Sequence, residues 1–193
     1  MSGEDLTLES IKAFDFGLGL INRASFNGET PLTLAAQQGN IENISLLLAL
    51  GASANLMGRF GLFPIHYAAI RGDIKLIRLL DSKGVDLNRC SASEGKTALH
   101  LSIMNGHEHA AVELISLGVN PLIFNEKGEL PIHLAASKGM QRMLSILLYR
   151  GSSINMPCQR TAKTPMHYSV LSQPETSELL LESGAKVDAK TMA

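Results

Sequence analysis

The sequence is poor in the features that mark several large protein classes. Its 193 residues include only two cysteines, Cys90 and Cys158, too few for a disulfide scaffold. Seventeen basic and eighteen acidic side chains leave a formal net charge of −1, which gives no basic footprint for nucleic acid and no attraction to an acidic membrane. No apolar run approaches the roughly 20 residues that span a bilayer. The opening MSGEDLTLES is polar and acidic, without the basic and apolar regions of a signal peptide. No Pro/Ser-rich linker or charge block divides the chain. Together these absences predict a soluble, intracellular chain, cytoplasmic or nuclear, folded as one domain, with neither nucleic acid nor membrane as its partner.

What the sequence does contain is one phrase written five times. It occupies 30–35 (TPLTLA), 63–68 (FPIHYA), 97–102 (TALHLS), 130–135 (LPIHLA) and 164–169 (TPMHYS), at steps of 33 or 34 residues. Self-similarity at such a period means stacked supersecondary units, not one globular core. The first copy shows the physics. Thr30 is placed to cap a helix whose first position is Pro31, where a missing N–H costs nothing. Leu32, Leu34, Ala35 and Ala36 give that helix a narrow apolar side, and Gly39 ends it. Asn40 then caps a second helix carrying Ile41, Ile44, Leu47 and Leu48 at helical spacing, closed by Gly51. The stretch that follows, with Gly58 and Gly61, reads as an extended turn to the next copy. Helices this short are marginal alone, so stability must come from stacking.

The phrase, its period and the recurring glycines resemble the ankyrin-repeat family, over nearly the whole chain. The resemblance implies an all-α repeat solenoid of helix–turn–helix units with protruding β-hairpin-like loops. The repeats fall at about 23–55, 56–88, 89–122, 123–155 and 156–188 of a domain over 23–193. Residues 1–22 read as a degenerate half-repeat, with Leu6, Leu8, Ile11 and Phe14 covering the end of the stack. Several copies depart from the pattern. Thr33 stands for histidine, Phe63 and Leu130 for threonine, and Ala98 for proline. In the fifth copy Ala162 replaces the loop glycine and Gln173 the helix-ending one. Either that copy caps itself or the chain belongs to something longer.

Chemistry finds little purchase. His66, His100, His133 and His167 recur with the period, but units about 10 Å apart cannot share a Zn²⁺ with ligands near 2.0–2.1 Å. The resemblance assigns them to hydrogen bonds between repeats. His107 and His109 point to different sides of a helix. Asn43-Ile44-Ser45 is a sequon within a helix, and Gly17-Leu18-Gly19 lacks the third glycine of a dinucleotide loop. Cys90 and Cys158 sit in loops two repeats apart, roughly twice the 8–10 Å helix spacing, beyond the about 7 Å that a disulfide tolerates. No catalytic set, cofactor or metal site is expected.

The resemblance places partner contacts on the concave side, at residues flanking the loop glycine and just before the helix-ending glycine. Across the copies these positions include Phe26, Arg59, Phe60, Leu62, Ile70, Arg71, Lys96, Met104 and Asn105. Copy two is distinctive, because Phe60, Leu62 and Ile70 are large and apolar and lie between Arg59 and Arg71. Apolar and arginine side chains together are what binding hot spots favour. Phe60 and Leu62 have a second reading, folded under the loop against Met57 or Phe63. The expected function is a non-catalytic protein–protein interaction module, monomeric on its own. The rival is the targeting segment of a larger enzyme or of a bacterial effector acting in a host cytosol.

Overall fold

The computed structural model describes residues 20–187. The end-covering half-repeat expected over 1–22 therefore lies outside the described residues except for Leu20–Asn22, a 3₁₀ turn packed against the first helix. Ten α-helices follow in five pairs. They are α1 (Pro31–Gln38) and α2 (Ile41–Ala49), α3 (Pro64–Arg71) and α4 (Ile74–Ser82), then α5 (Ala98–Met104) and α6 (Glu108–Ser116). The last two pairs are α7 (Pro131–Ser137) with α8 (Gln141–Tyr149) and α9 (Pro165–Ser169) with α10 (Pro174–Glu182). Among the described residues there is no strand.

Each odd-numbered helix packs on the next odd-numbered one, and each is covered by its even-numbered partner. The odd-numbered layer is in closer contact than the even-numbered layer. Its buried faces carry the pairs Ala35–Ala36, Ala68–Ala69 and Ala135–Ala136, small enough for backbones to approach. The even-numbered helices instead bury Ile44, Leu76, Leu80, Leu114, Met143, Leu147 and Leu180. Small residues inside and large ones outside bend the stack toward the odd-numbered helices. The core lies between the two layers, where Leu32, Ile65, Leu99 and Ile132 meet the outer helices. Shortening one of these to alanine should cost about 2–5 kcal/mol.

Helix starts use what each copy offers. Thr30 Oγ1 accepts the Thr33 amide at 3.1 Å, and Asn40 and Asp73 cap α2 and α4 through Oδ1 at 3.0 Å. Phe63 and Leu130 make no such bond, but the histidine three residues on accepts their own amides at 3.0 and 2.9 Å. The fifth pair is the weakest. Helix α9 has five residues, Gln173 gives α10 no side-chain cap, and the two helices meet through the hydroxyls of Ser169 and Ser177 at 2.8 Å. Both cysteines are free thiols, Cys90 exposed and Cys158 buried.

Candidate functional site

Five loops, one before each helix pair, are hairpins, each with a backbone bond across its base. The amides of Ser25, Gly58, Ser91, Asn125 and Cys158 donate to the carbonyls of Glu29, Leu62, Lys96, Glu129 and Lys163, all at 2.8–2.9 Å. Neighbouring hairpins are then tied to each other. Ala92 N–H donates to Gly61 C=O at 2.9 Å, Glu126 to Glu94 at 3.0 Å and Gln159 to Gly128 at 2.9 Å. The Cys158 thiol adds a bond to the Lys127 carbonyl at 3.3 Å. Gly61 shows why the tip needs glycine. Its φ is +66°, and a Cβ there would stand 2.6 Å from the Cβ of Ala92. Hairpins two to five are thus bonded into one continuous ledge along the ends of the inner helices.

Three histidines fix that ledge to the helices. The Nε2–H groups of His66, His100 and His133 donate to the carbonyls of Arg89, Glu129 and Met156 in the following hairpin, at 2.9, 3.1 and 2.8 Å. In each ring Nδ1 accepts the amide at its own helix start. Both ring nitrogens are therefore occupied and neither is open to a metal. Burial holds all three below the ordinary imidazole range, His100 at about 4. In the first repeat Thr33 performs only the local part, its hydroxyl accepting from and donating to the Thr30 backbone. His107 makes an unexpected tie, with Nε2 2.8 Å from the Ile70 carbonyl at the end of α3. Among the described residues no three His, Cys, Asp or Glu side chains converge on a metal position.

The contact positions separate into two groups. Phe26 is fully exposed, Phe60 is 55 % exposed, and Arg59 and Arg71 are exposed. The Arg59 guanidinium lies 5.4 Å from the Phe60 ring centre, and one Arg71 nitrogen reaches the Gln37 carbonyl at 3.3 Å. Arg59, Phe60, Gly61, Ala92 and Ser93 line an open hollow of about 340 Å³ between hairpins two and three. The second group is turned inward. Leu62, Ile70 and Met104 are half-buried against the core. Lys96, expected at the surface, is buried at 6 % exposure. Its backbone closes the hairpin on Ser91 and its ammonium sits 2.7 Å from Glu94, so its charge is already matched. Asn105 spends its side-chain N–H on the Leu101 carbonyl at 2.8 Å, finishing α5. Met57, read from the sequence only as a packing partner, is 49 % exposed and joins the surface group. Phe60 and Leu62 thus follow different readings, one outward and one under the loop, on either side of the left-handed turn at Gly61.

Residues 7–91, 32–125, 65–158 and 112–191 match, in overlapping stretches, the family described as ankyrin repeats in three copies. The chain belongs to the ankyrin-repeat family. Among curated relatives it is 27 % identical over 183 residues to transient receptor potential cation channel subfamily A member 1 from Homo sapiens, covering 90 % of this chain and 16 % of that protein. It is 27 % identical over 164 residues to tyrosine-protein kinase Shark from Drosophila melanogaster, covering 85 % of this chain and 17 % of the kinase. Over 131 residues it is 33 % identical to ankyrin repeat and KH domain-containing protein mask-1 from Caenorhabditis elegans, 67 % of this chain and 5 % of that protein. The chain thus spans a small part of the length of these relatives. Ankyrin repeats are in general non-catalytic protein-interaction modules, and the fold of this chain is such a solenoid. Among the described residues no helix is long and apolar enough to cross a membrane.

Proposed function

We propose that this ankyrin-repeat chain binds a partner protein across the hairpin ledge and inner helices, with Arg59 and Phe60 at the centre of the contact. The observation that carries this reading is the Phe60 ring, more than half exposed beside a hollow floored by Gly61 and Ala92. A rigid ledge that presents an aromatic and an arginine next to a concavity is the arrangement that concentrates binding energy in few residues. Because the side chains of the repeated phrase are committed to structure, the chain itself acts by binding and has no catalytic role. A monomer in a cytoplasmic or nuclear setting suits its two free thiols.

Affinity capture with the intact chain beside two single variants tests the reading. Phe60→Ser should weaken partner capture by at least about tenfold while leaving Tm unchanged. Leu62→Ser should lower stability by about 1–2 kcal/mol, because its side chain is packed on the core. Equal capture by the Phe60→Ser variant would contradict the placement. A second reading, that the chain is the targeting part of a larger protein, is favoured by its small share of its relatives, a kinase among them. The two readings use the same surface and differ in what lies beyond it.

A further inference from the structure

We infer that the segment received on this face is an acidic stretch of a protein, rich in aspartate and glutamate, with one apolar side chain for the hollow beside Phe60. This rests on the interaction-module reading above. Hairpins and inner-helix ends carry seven exposed cations, Arg23, Arg59, Arg71, Lys127, Lys138, Arg160 and Lys163. Among the described residues two exposed carboxylates share that face, Glu94 and Glu126, and Glu94 is already paired with Lys96. The other two acids there are turned into the protein. Glu29 accepts the Tyr67 hydroxyl at 3.1 Å, and Glu129 accepts the Tyr168 hydroxyl and the Asn125 amide, both at 3.0 Å.

The outer layer lacks this bias, since its five even-numbered helices with their C-terminal caps expose five acids and five cations. The near-zero total charge therefore conceals a basic inner face. Like charges spread along a curved ledge add their fields and steer an acidic partner to it. The positions also match an extended peptide, since the cations are spread from the first hairpin to the fifth. Exposed apolar side chains lie at the two ends of the face, Phe26, Met57 and Phe60 at one and Val170 and Leu171 at the other. Single-stranded nucleic acid fits less well, because base stacking needs aromatic platforms along the groove. Within 89–96, 123–129 and 157–163 no aromatic side chain is exposed.

A displayed random-peptide library selected on the full chain provides the test, followed by affinity measurement on the enriched peptides and on a single-stranded oligonucleotide of equal charge. The proposal predicts enrichment of Asp and Glu with one Leu, Ile or Phe. Binding should weaken by at least about tenfold in an Arg59→Glu/Arg160→Glu variant and again between about 0.1 and 1 M salt. Reversing Arg142 on the outer helix α8 should change nothing. Enriched peptides that are neutral or basic, yet lost with Phe60→Ser, would overturn the acidic partner while leaving the interaction surface intact. Peptides indifferent to Phe60, or no enrichment at all, would overturn both. Loss of binding with Arg142→Glu, or tighter binding of the oligonucleotide, would also overturn it.

Discussion

Burying an imidazole with both nitrogens bonded makes it useful only while neutral. His66, His100 and His133 each join a helix start to the next hairpin, and each is held below its ordinary pKa by burial. In the unfolded chain they take up protons near 6.5, whereas folded His100 does so only near 4. Between those values the unfolded state binds more protons, so stability is full above about pH 6.5 and is lost as pH falls toward 4. His100 alone should account for on the order of 3 kcal/mol of that loss. Urea titrations between pH 7 and pH 4 should show a falling midpoint, and a His100→Gln variant should show a shallower slope. A midpoint independent of pH would contradict the assignment. The sequence already showed that these residues recur with the period, but the cooperating carbonyls 23 to 29 residues away became visible only in the fold.

At the scale of single elements, the helix pairs and hairpins were legible because their signals are local. Most inner helices carry two or three of the same signals, proline at the first helical position, a capping residue before it and a glycine after it. What was not legible was the side to which a hairpin residue turns. Phe60 and Leu62 are both apolar and two positions apart, yet only Leu62 packs on the core. Lys96 stands at a surface position by sequence, yet it is buried and its ammonium pairs with Glu94 two residues before it in the same hairpin. The fifth hairpin carries a fault that the sequence did mark. Ala162 stands where the others have glycine and adopts φ +55°, a left-handed conformation that strains any side chain. Ala162→Gly should raise stability by about 0.5–1 kcal/mol, the relief being partly offset by greater freedom in the unfolded chain. Thermal melts of the two proteins check this, and a lower Tm in the glycine variant would contradict it.

For the whole molecule, stacking turns a weakly stable repeat into a rigid curved surface. The same stacking gathers exposed cations along the ledge and leaves the outer helices balanced. Total charge could not reveal this, since it sums over faces that only the fold distinguishes. The contact surface on such a scaffold is a matter of which face a partner covers, and amide exchange reads that directly. Hydrogen–deuterium exchange of the chain with and without its captured partner should show new protection in hairpins 56–62 and 89–96 and at the end of α3. The amides of α4, α6 and α8 should exchange as before. Protection appearing on those outer helices, with hairpins two and three unchanged, would contradict the ledge as the binding surface.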